Sequence, residues 1–231
     1  MRRFYTEVGV TDGAEGFSVT LDDKPIKTPI KNALFMPTKA LAEAVANEWR
    51  AQEDSIVPSS MPMTRLVNSV LDRVAPRRAE IIMELVAYGH TDLVCYRADE
   101  PDELVALQGQ TWNPYLDWLE AELGVDLVTT TGVLPIVQSD AAVARLMAEL
   151  ENLDDFALTA FHAFVAGFGS IVLALAAVRG FSSFDECWQA SVLDQTFQEQ
   201  KWGSDPEVVE NRERLKQDLM TSVDLWRFTK S

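Results

Sequence analysis

Two histidines, two cysteines and a few adjacent carboxylates are the side chains here that could do acid–base, nucleophilic or metal chemistry. Their spacing supports little of it. His162 lies inside an uncharged run, where an imidazole bonded to a backbone carbonyl is a more ordinary outcome than a ligand. His90 stands in Gly89-His-Thr-Asp92 near a predicted helix end, where a cap or the helix dipole accounts for it. Neither has a second histidine at metal-ligating spacing, and Cys95 and Cys187 sit in no CxxC pair, so zinc and dithiol chemistry lack local support. The pairs Asp22-Asp23, Asp154-Asp155 and Asp185-Glu186 fall at turns or helix starts, where they cap free amides. The glycine-rich phosphate loops and the serine nucleophile elbow are missing. The expectation is a protein without catalytic residues, cofactor or metal, one that works by holding another protein.

Composition narrows the partners. The 231 residues carry a formal net charge of −16, with 47% hydrophobic and 24% charged residues, the balance of a folded globular chain. The charge is regional. Residues 1–90 hold 11 basic and 12 acidic side chains, but residues 91–160 hold 2 and 14. Such a surface repels nucleic acid and anionic lipid, which bind through clustered Lys and Arg. It is read either as a solvated face or as a match for a basic partner. Two isolated cysteines fit a reducing compartment. The start, Met1 to Val10, carries neither a secretory apolar stretch nor a long Arg- and Ser-rich presequence, so the expected location is the cytoplasm, or the chain is an already trimmed form. Phe156 to Val178 runs 23 residues without a formal charge, long enough to span a bilayer. Gly167 and Gly169 inside it, and the lack of a flanking aromatic and basic belt, favour a buried core helix broken near Ser170.

The elements that must position any site read as two regimes, an α+β protein with a small antiparallel β-rich domain over 1–37 and a larger helical domain over 38–231, the boundary lying anywhere up to about 60. Phe4, Val8 and Val10 alternate, as do Phe17, Val19 and Leu21, with Gly13 and Gly16 between them. Asp22-Asp23 then separates a strand from Lys24 to Lys27, and Ala33 to Met36 adds another. From Thr38, a predicted N-cap, the period turns helical: Leu41, Val45 and Trp49 form one stripe. Further helices are expected over 63–74, 76–88, 101–123, from Ser139 or Asp140, over 183–201 and over 205–228. Pro114 should kink or restart the 101–123 helix, whose inward residues are read as Leu104, Leu107, Tyr115, Trp118 and Leu119. The Thr91 to Arg97 stretch is either extended or a frayed helix end, and 125–137 is a short ribbon or irregular.

The segment from Leu193 to Asp205 carries the most information. If 183–201 is a single helix, Phe184, Cys187, Trp188, Ser191 and Val192 form one face, and Gln195 and Gln198 continue it into the interior. A buried amide without a partner costs about 1 to 3 kcal/mol, so these two glutamines should reach backbone, each other or another chain. Leu193 and Phe197 fall on nearly the opposite face. Gly203 is expected to end the helix in the left-handed conformation, with Asp205 capping the next.

Several short motifs, in order, then converge. They are Arg3-Phe-Tyr5; Leu21-Asp-Asp-Lys-Pro-Ile-Lys-Thr-Pro29; Glu48-Trp49 with Gln52 and Pro58; Met61-Pro-Met-Thr64 with Asn68; Asp92 to Arg97; Gly169-Ser170; and Leu193-Asp194-Gln195 with Gln198, Trp202, Gly203 and Asp205. Over nearly its whole length the chain resembles the assembly chaperones that bind the α subunit of the F1 sector of ATP synthase. The resemblance implies an ATP-independent holder that shields unassembled α subunit from aggregation until the β subunit replaces it; a monomer is the expected state. It also implies a bacterial cytoplasmic member, the relatives of eukaryotes working in the mitochondrial matrix. It makes Leu193, Phe197 and Trp202 contact candidates, with Asp194, Gln195, Gln198 and Asp205 at the rim or positioning them. Glu48, Trp49, Asp92, Arg97, Gly169, Ser170 and Gly203 become structural positions. Gln195 departs from the family pattern, which has an acidic residue there; Asp194 or Glu199 could supply that charge. Nucleic acid and stable membrane insertion are not expected. The competing reading is an enzyme whose region 91–160 gathers carboxylates into a metal or acid–base site.

Overall fold

The computed structural model describes residues 1–132 and 134–230, so Val133, within the 125–137 stretch, and Ser231 lie outside the described residues. The chain divides into two compact units. The first takes Met1–Arg78, Asp154–Ala160 and the chain end from Thr221; the second takes Ala79–Leu153 and Phe161–Met220. The architecture is the expected α+β one, a small N-terminal antiparallel sheet followed by a mostly helical region.

In the first unit β1 (Val8–Gly13), β2 (Gly16–Leu21) and β3 (Lys24–Pro25) form the sheet in that order, Val10 opposite Val19 and Leu21 opposite Lys24. Asp22 and Asp23 turn the chain with φ of 47° and 64°, the double positive φ that matches the twist of a two-residue hairpin. Asp22 offsets the strain by accepting the Thr6 and Glu7 amides at 3.0 and 2.9 Å, which lowers its pKa. Gly16 is required: a Cβ there would stand 2.5 Å from the Met36 carbonyl oxygen, to which Phe17 N–H donates. Helix α1 (Lys39–Arg50) starts where Thr38 Oγ1 accepts from Leu41 N, and buries Leu41, Ala42, Val45 and Ala46. Tyr5 bonds the Trp49 carbonyl at 2.7 Å while Arg3 stacks 4.6 Å over the Tyr5 ring, so the Arg3-Phe-Tyr5 motif pins the N-terminus to the end of α1. Glu48 caps the next helix from outside, accepting Met63 N, Thr64 N and Thr64 Oγ1 at 2.6 to 2.7 Å at the start of α2 (Pro62–Ser69). A π turn over Val70–Val74 and a 3₁₀ turn over Ala75–Arg77 fill the chain between α2 and α3 (Arg78–Ala87), the second of the two expected helices.

In the second unit the uncertain Thr91 to Arg97 stretch is a 3₁₀ turn, Leu93–Cys95, followed by β4 (Tyr96–Arg97), which pairs in parallel with β5 (Thr130–Thr131). Helix α4 (Asp102–Leu123) passes through Pro114 without a restart, because that residue is exposed and water can take the carbonyl the missing N–H would have served. Its buried stripe is Leu104, Gln108, Trp112, Tyr115 and Leu119; Leu107, read as inward, is 38% exposed and Trp118 half-buried. α5 (Asp140–Glu151) is capped by Ser139. The uncharged run is two helices, α6 (Asp155–Phe168) and α7 (Ile171–Arg179), parted by Gly169 at φ 65° with Ser170 capping the second. Among the described residues no helix is long and apolar enough to cross a membrane.

The expected 183–201 helix is also two. α8 (Phe184–Ser191), opened by a Ser183–Glu186 capping box, ends at Val192, and α9 (Leu193–Trp202) follows directly. Val192, at φ −102° and ψ 13°, interrupts the helix without glycine or proline. Gly203 closes α9 at φ 91° and ψ 158°, an extended mirror-image conformation rather than the expected left-handed helical one, and equally a glycine's place. α10 (Pro206–Phe228) begins with Asp205 Oδ1 accepting from Glu207 N.

Asp92 is the polar centre of the second unit. It is fully buried and accepts from Val94 N and Val172 N, each at 3.1 Å, and from the Ser170 hydroxyl. Burial pushes its carboxyl up to about 6, against those donors. Because the folded value lies above the unfolded one, the stability it contributes is complete below about pH 4 and is lost as pH rises through about 6. In urea titrations from pH 4 to 6.5, the stability advantage of the unaltered protein over Asp92→Asn should therefore shrink with rising pH, by at most about 3 kcal/mol; an advantage that grows would contradict this placement.

Candidate functional site

The start of α9 lies between two open hollows of the second unit. One, of about 470 Å³, is lined by Leu107, Thr111, Tyr115, Ala190, Leu193, Thr196 and Phe197, with Asp185, Glu186, Gln189 and Gln200 also on its wall. The other, of about 520 Å³, takes Phe168, Trp188, Val192, Gln195, Val208, Arg212 and Leu215. One helical stripe runs across Val192: Glu186, Gln189, Ala190, Leu193 and Phe197 face the first hollow, and Trp188, Ser191, Val192 and Gln195 face the second. Leu193 and Phe197, at 7% and 6% exposure, turn inward onto the wall of the first. Gln195 and Gln198 are exposed, against the expectation that their face is buried, so their amides meet solvent instead of needing buried partners.

A short polar relay sets the angle of α9. Arg97 Nε donates to the Val94 carbonyl at 2.7 Å, and its Nη1 to the Gln108 carbonyl at 3.1 Å, with the guanidinium 5.2 Å over the Trp112 ring. Burial lowers the Arg97 pKa, and the Asp194 charge partly offsets this. Gln108, only 1% exposed, accepts from Ala98 N and donates to Asp194 Oδ1, both at 2.8 Å. Trp112 Nε1 donates to the Ala190 carbonyl at 2.9 Å, which fixes the end of α8 against α4. Gln108 is the site residue that sequence reasoning missed, though its position four residues from both Leu104 and Trp112 was the available signal.

The far end of α9 is held by ion pairs. Arg212 meets Glu199 bidentately at 2.7 and 3.1 Å, with both side chains mostly buried, and Lys201 pairs with Glu103. Asp185 on the first hollow pairs with Lys216 at 2.7 Å, and Glu186 is committed to Ser182 and Ser183, whose donors lower its pKa. The lip is thus built from ordered charges around an apolar wall. Trp202 stands 77% exposed at the end of the same helix, and Asp205 is engaged in capping. Of the predicted contact set, Leu193 and Phe197 come together on one wall, Asp194 is turned to Gln108, Gln195 lines the other hollow, and Gln198, Trp202 and Asp205 lie on the surface. Glu48 and Trp49 belong to the first unit.

Reactive groups are scarce. Burial pushes Cys95 up to about 12 and Cys187 up to about 11, so neither thiol is primed as a nucleophile. Among the described residues no three His, Cys, Asp or Glu side chains gather as a metal site would need, in 91–160 or elsewhere.

Fold and site together define a helical protein with a small sheet whose ordered, apolar-walled hollows suit contact with another macromolecule. The model of the family described as ATP12 chaperone protein matches residues 2–120. Among solved structures, Atp12 from Paracoccus denitrificans is 39% identical, with a TM-score of 0.94 over 99% of this chain and 98% of that one. A point mutant of the same organism's Atp12p gives 39%, 0.95, 99% and 97%. A protein from Agrobacterium tumefaciens, described as a candidate chaperone, gives 34%, 0.92, 99% and 86%. The chain belongs to the ATP12 chaperone family.

The burial of Gln108 and the exposure of Gln195 and Gln198 predict an inverted order of glutamine effects. Gln108→Ala leaves the Ala98 amide and Asp194 without their partner and should lower unfolding free energy by about 2 kcal/mol in urea. Gln195→Ala and Gln198→Ala should change it by less than about 0.5 kcal/mol. The reverse order would contradict this placement of the three amides.

Proposed function

We propose that this protein is an assembly chaperone of F1 ATP synthase that holds the unassembled α subunit without using nucleotide, and gives it up when the β subunit takes over the covered surface. Family membership supplies the general role. The observation that carries the finer reading is the open hollow between α4, α8 and α9, with an apolar wall of Leu107, Tyr115, Leu193 and Phe197 and a polar lip.

An assembly surface that will later be buried is apolar and prone to stick. Covering it reversibly calls for apolar contact rimmed by polar groups that keep the affinity moderate. Trp202 supports the same reading, since an indole 77% exposed at the end of the helix that walls the hollow is of the residue type most often dominant at interfaces. In this proposal Leu193 and Phe197 shape the wall, Asp194 positions α9 through Gln108, Gln198 and Asp205 belong to the exposed surface, and Gln195 lines the second hollow. The protein would act as a monomer in the bacterial cytoplasm. No observation favours the competing enzyme reading, whose converging carboxylates are not found among the described residues.

The test is light scattering of isolated F1 α subunit during dilution from denaturant, with no nucleotide present. The unaltered protein should suppress aggregation at near-stoichiometric amounts. Leu107→Asp together with Trp202→Ala, both at exposed positions, should raise the amount required by about tenfold while leaving the urea midpoint in place. Undiminished aggregation at several-fold molar excess of the unaltered chain would overturn the proposal.

A further inference from the structure

A polar hollow in the first unit has no part in the proposed function. Its volume is about 400 Å³, and Pro29, Ile30, Arg65, Asn68, Asp72 and Arg73 line it. Residues 65, 68, 69, 72 and 73 recur at i, i+3, i+4, i+7 and i+8, so α2 and the π turn after it present them along one stripe. Single π turns of this kind are often found at functional sites.

The opposite wall is a built loop. Lys31 N–H donates to the Thr28 carbonyl at 2.8 Å, and Thr28 N–H to the Asn32 carbonyl at 3.0 Å. Asn32 N–H donates to Thr28 Oγ1 at 3.1 Å, with Thr28 only 3% exposed. Lys31 is held at φ 72°, an unfavourable conformation for a side-chain-bearing residue that the surrounding bonds impose. Asn32 Nδ2 then donates to Asp72 Oδ1 at 3.1 Å, tying the loop tip to the π turn. The outcome is an isoleucine, Ile30, left 63% exposed beside two arginines.

The charges of this wall are unfinished. Four arginines and one aspartate lie between residues 65 and 78. Arg78 is matched by Asp155 at 2.8 Å, whereas Arg65 and Arg73 have no side-chain hydrogen bond or ion pair among the described residues. The one carboxylate on the wall, Asp72, is engaged by Asn32. Asn68 Oδ1 is buried and accepts nothing, an unfavourable state that is relieved if the amide turns into the hollow and meets a donor.

From this arrangement we infer that the hollow binds an acidic stretch of another polypeptide, a carboxylate taken by Arg65 and Arg73 with an apolar neighbour on Ile30. The planar guanidinium fork suits carboxylates and phosphates alike. Two features select the peptide. Ile30 offers apolar area that a free phosphate cannot cover. A peptide backbone brings an N–H for Asn68 Oδ1 beside its carboxylate, whereas the terminal oxygens of a phosphate monoester dianion only accept.

The site can be tested without the α subunit, so its outcome is separate from that of the proposed function. The probe is a fluorescein-labelled, acetylated hexapeptide of sequence Gly-Leu-Glu-Glu-Leu-Gly, read by anisotropy against the full chain, beside its Gln-Gln counterpart. The acidic peptide should bind about tenfold more tightly than the neutral one. Arg65→Glu with Arg73→Glu should weaken it by at least about tenfold, while Lys24→Glu with Lys39→Glu, an equal change of net charge at exposed sites, should weaken it by less than about threefold. Ile30→Ser should weaken the acidic peptide without restoring the neutral one. The inference is overturned if the unaltered chain binds neither peptide or both equally, if the lysine pair matters as much as the arginine pair, or if inorganic phosphate at matched ionic strength displaces the peptide from Arg65 and Arg73.

Discussion

The second unit is organised around a carboxylate that water does not reach. Asp92 gathers the amides of Val94 and Val172 and the hydroxyl of Ser170, so one side chain ends the helix break at Gly169 and shapes the turn before Arg97. Burying a charge is tolerable only when its donors are in place, and here the donors come from segments 80 residues apart in the chain. A relay of hydrogen bonds leads away from it: the turn presents the Val94 carbonyl to Arg97, Arg97 bonds the backbone of Gln108, and the Gln108 amide holds Asp194 in the first turn of α9. The direction of α9, and with it the wall made by Leu193 and Phe197, is the last link of that relay.

Most of the elements are legible in the sequence because their signals are local. Thr38, Ser139 and Ser170 each cap the helix they are expected to cap, and Gly169 breaks the uncharged run where its backbone demands it. The Asp22-Asp23 turn and the antiparallel pairing of the first two strands are likewise readable, whereas Ala33 to Met36, expected as a strand, makes only isolated bridges from Ala33 to Lys27 and from Met36 to Phe17. The break at Val192 is not readable. Nothing in Ser191-Val192-Leu193 disfavours helix strongly, and neither glycine nor proline marks the interruption.

The site differs from expectation in what covers each face. The face that buries Trp188 and Val192 continues to Gln195, but there it opens onto the second hollow, so Gln195 and Gln198 are exposed and the buried amide, Gln108, is on another helix. Gln108 escapes a hydrophobicity pattern because a polar residue inside an apolar stripe shifts the apparent stripe to its neighbour Leu107. Its hydrogen-bonding capacity is what the position needs, because Ala98 N–H and Asp194 both require a partner there. Trp202, by contrast, stands out by residue type alone, and its exposure is consistent with a surface role.

The central claim is that the hollow between α4, α8 and α9 receives the client. The most direct measurement places a photo-crosslinking residue at Gln200 on the wall of that hollow, and in a second protein at Met83, which is 65% exposed and outside it, each incubated with refolding F1 α subunit. The account predicts a crosslinked adduct with the α subunit from position 200 and little or none from position 83. Equal yields from both, or an adduct from position 83 alone, would contradict it.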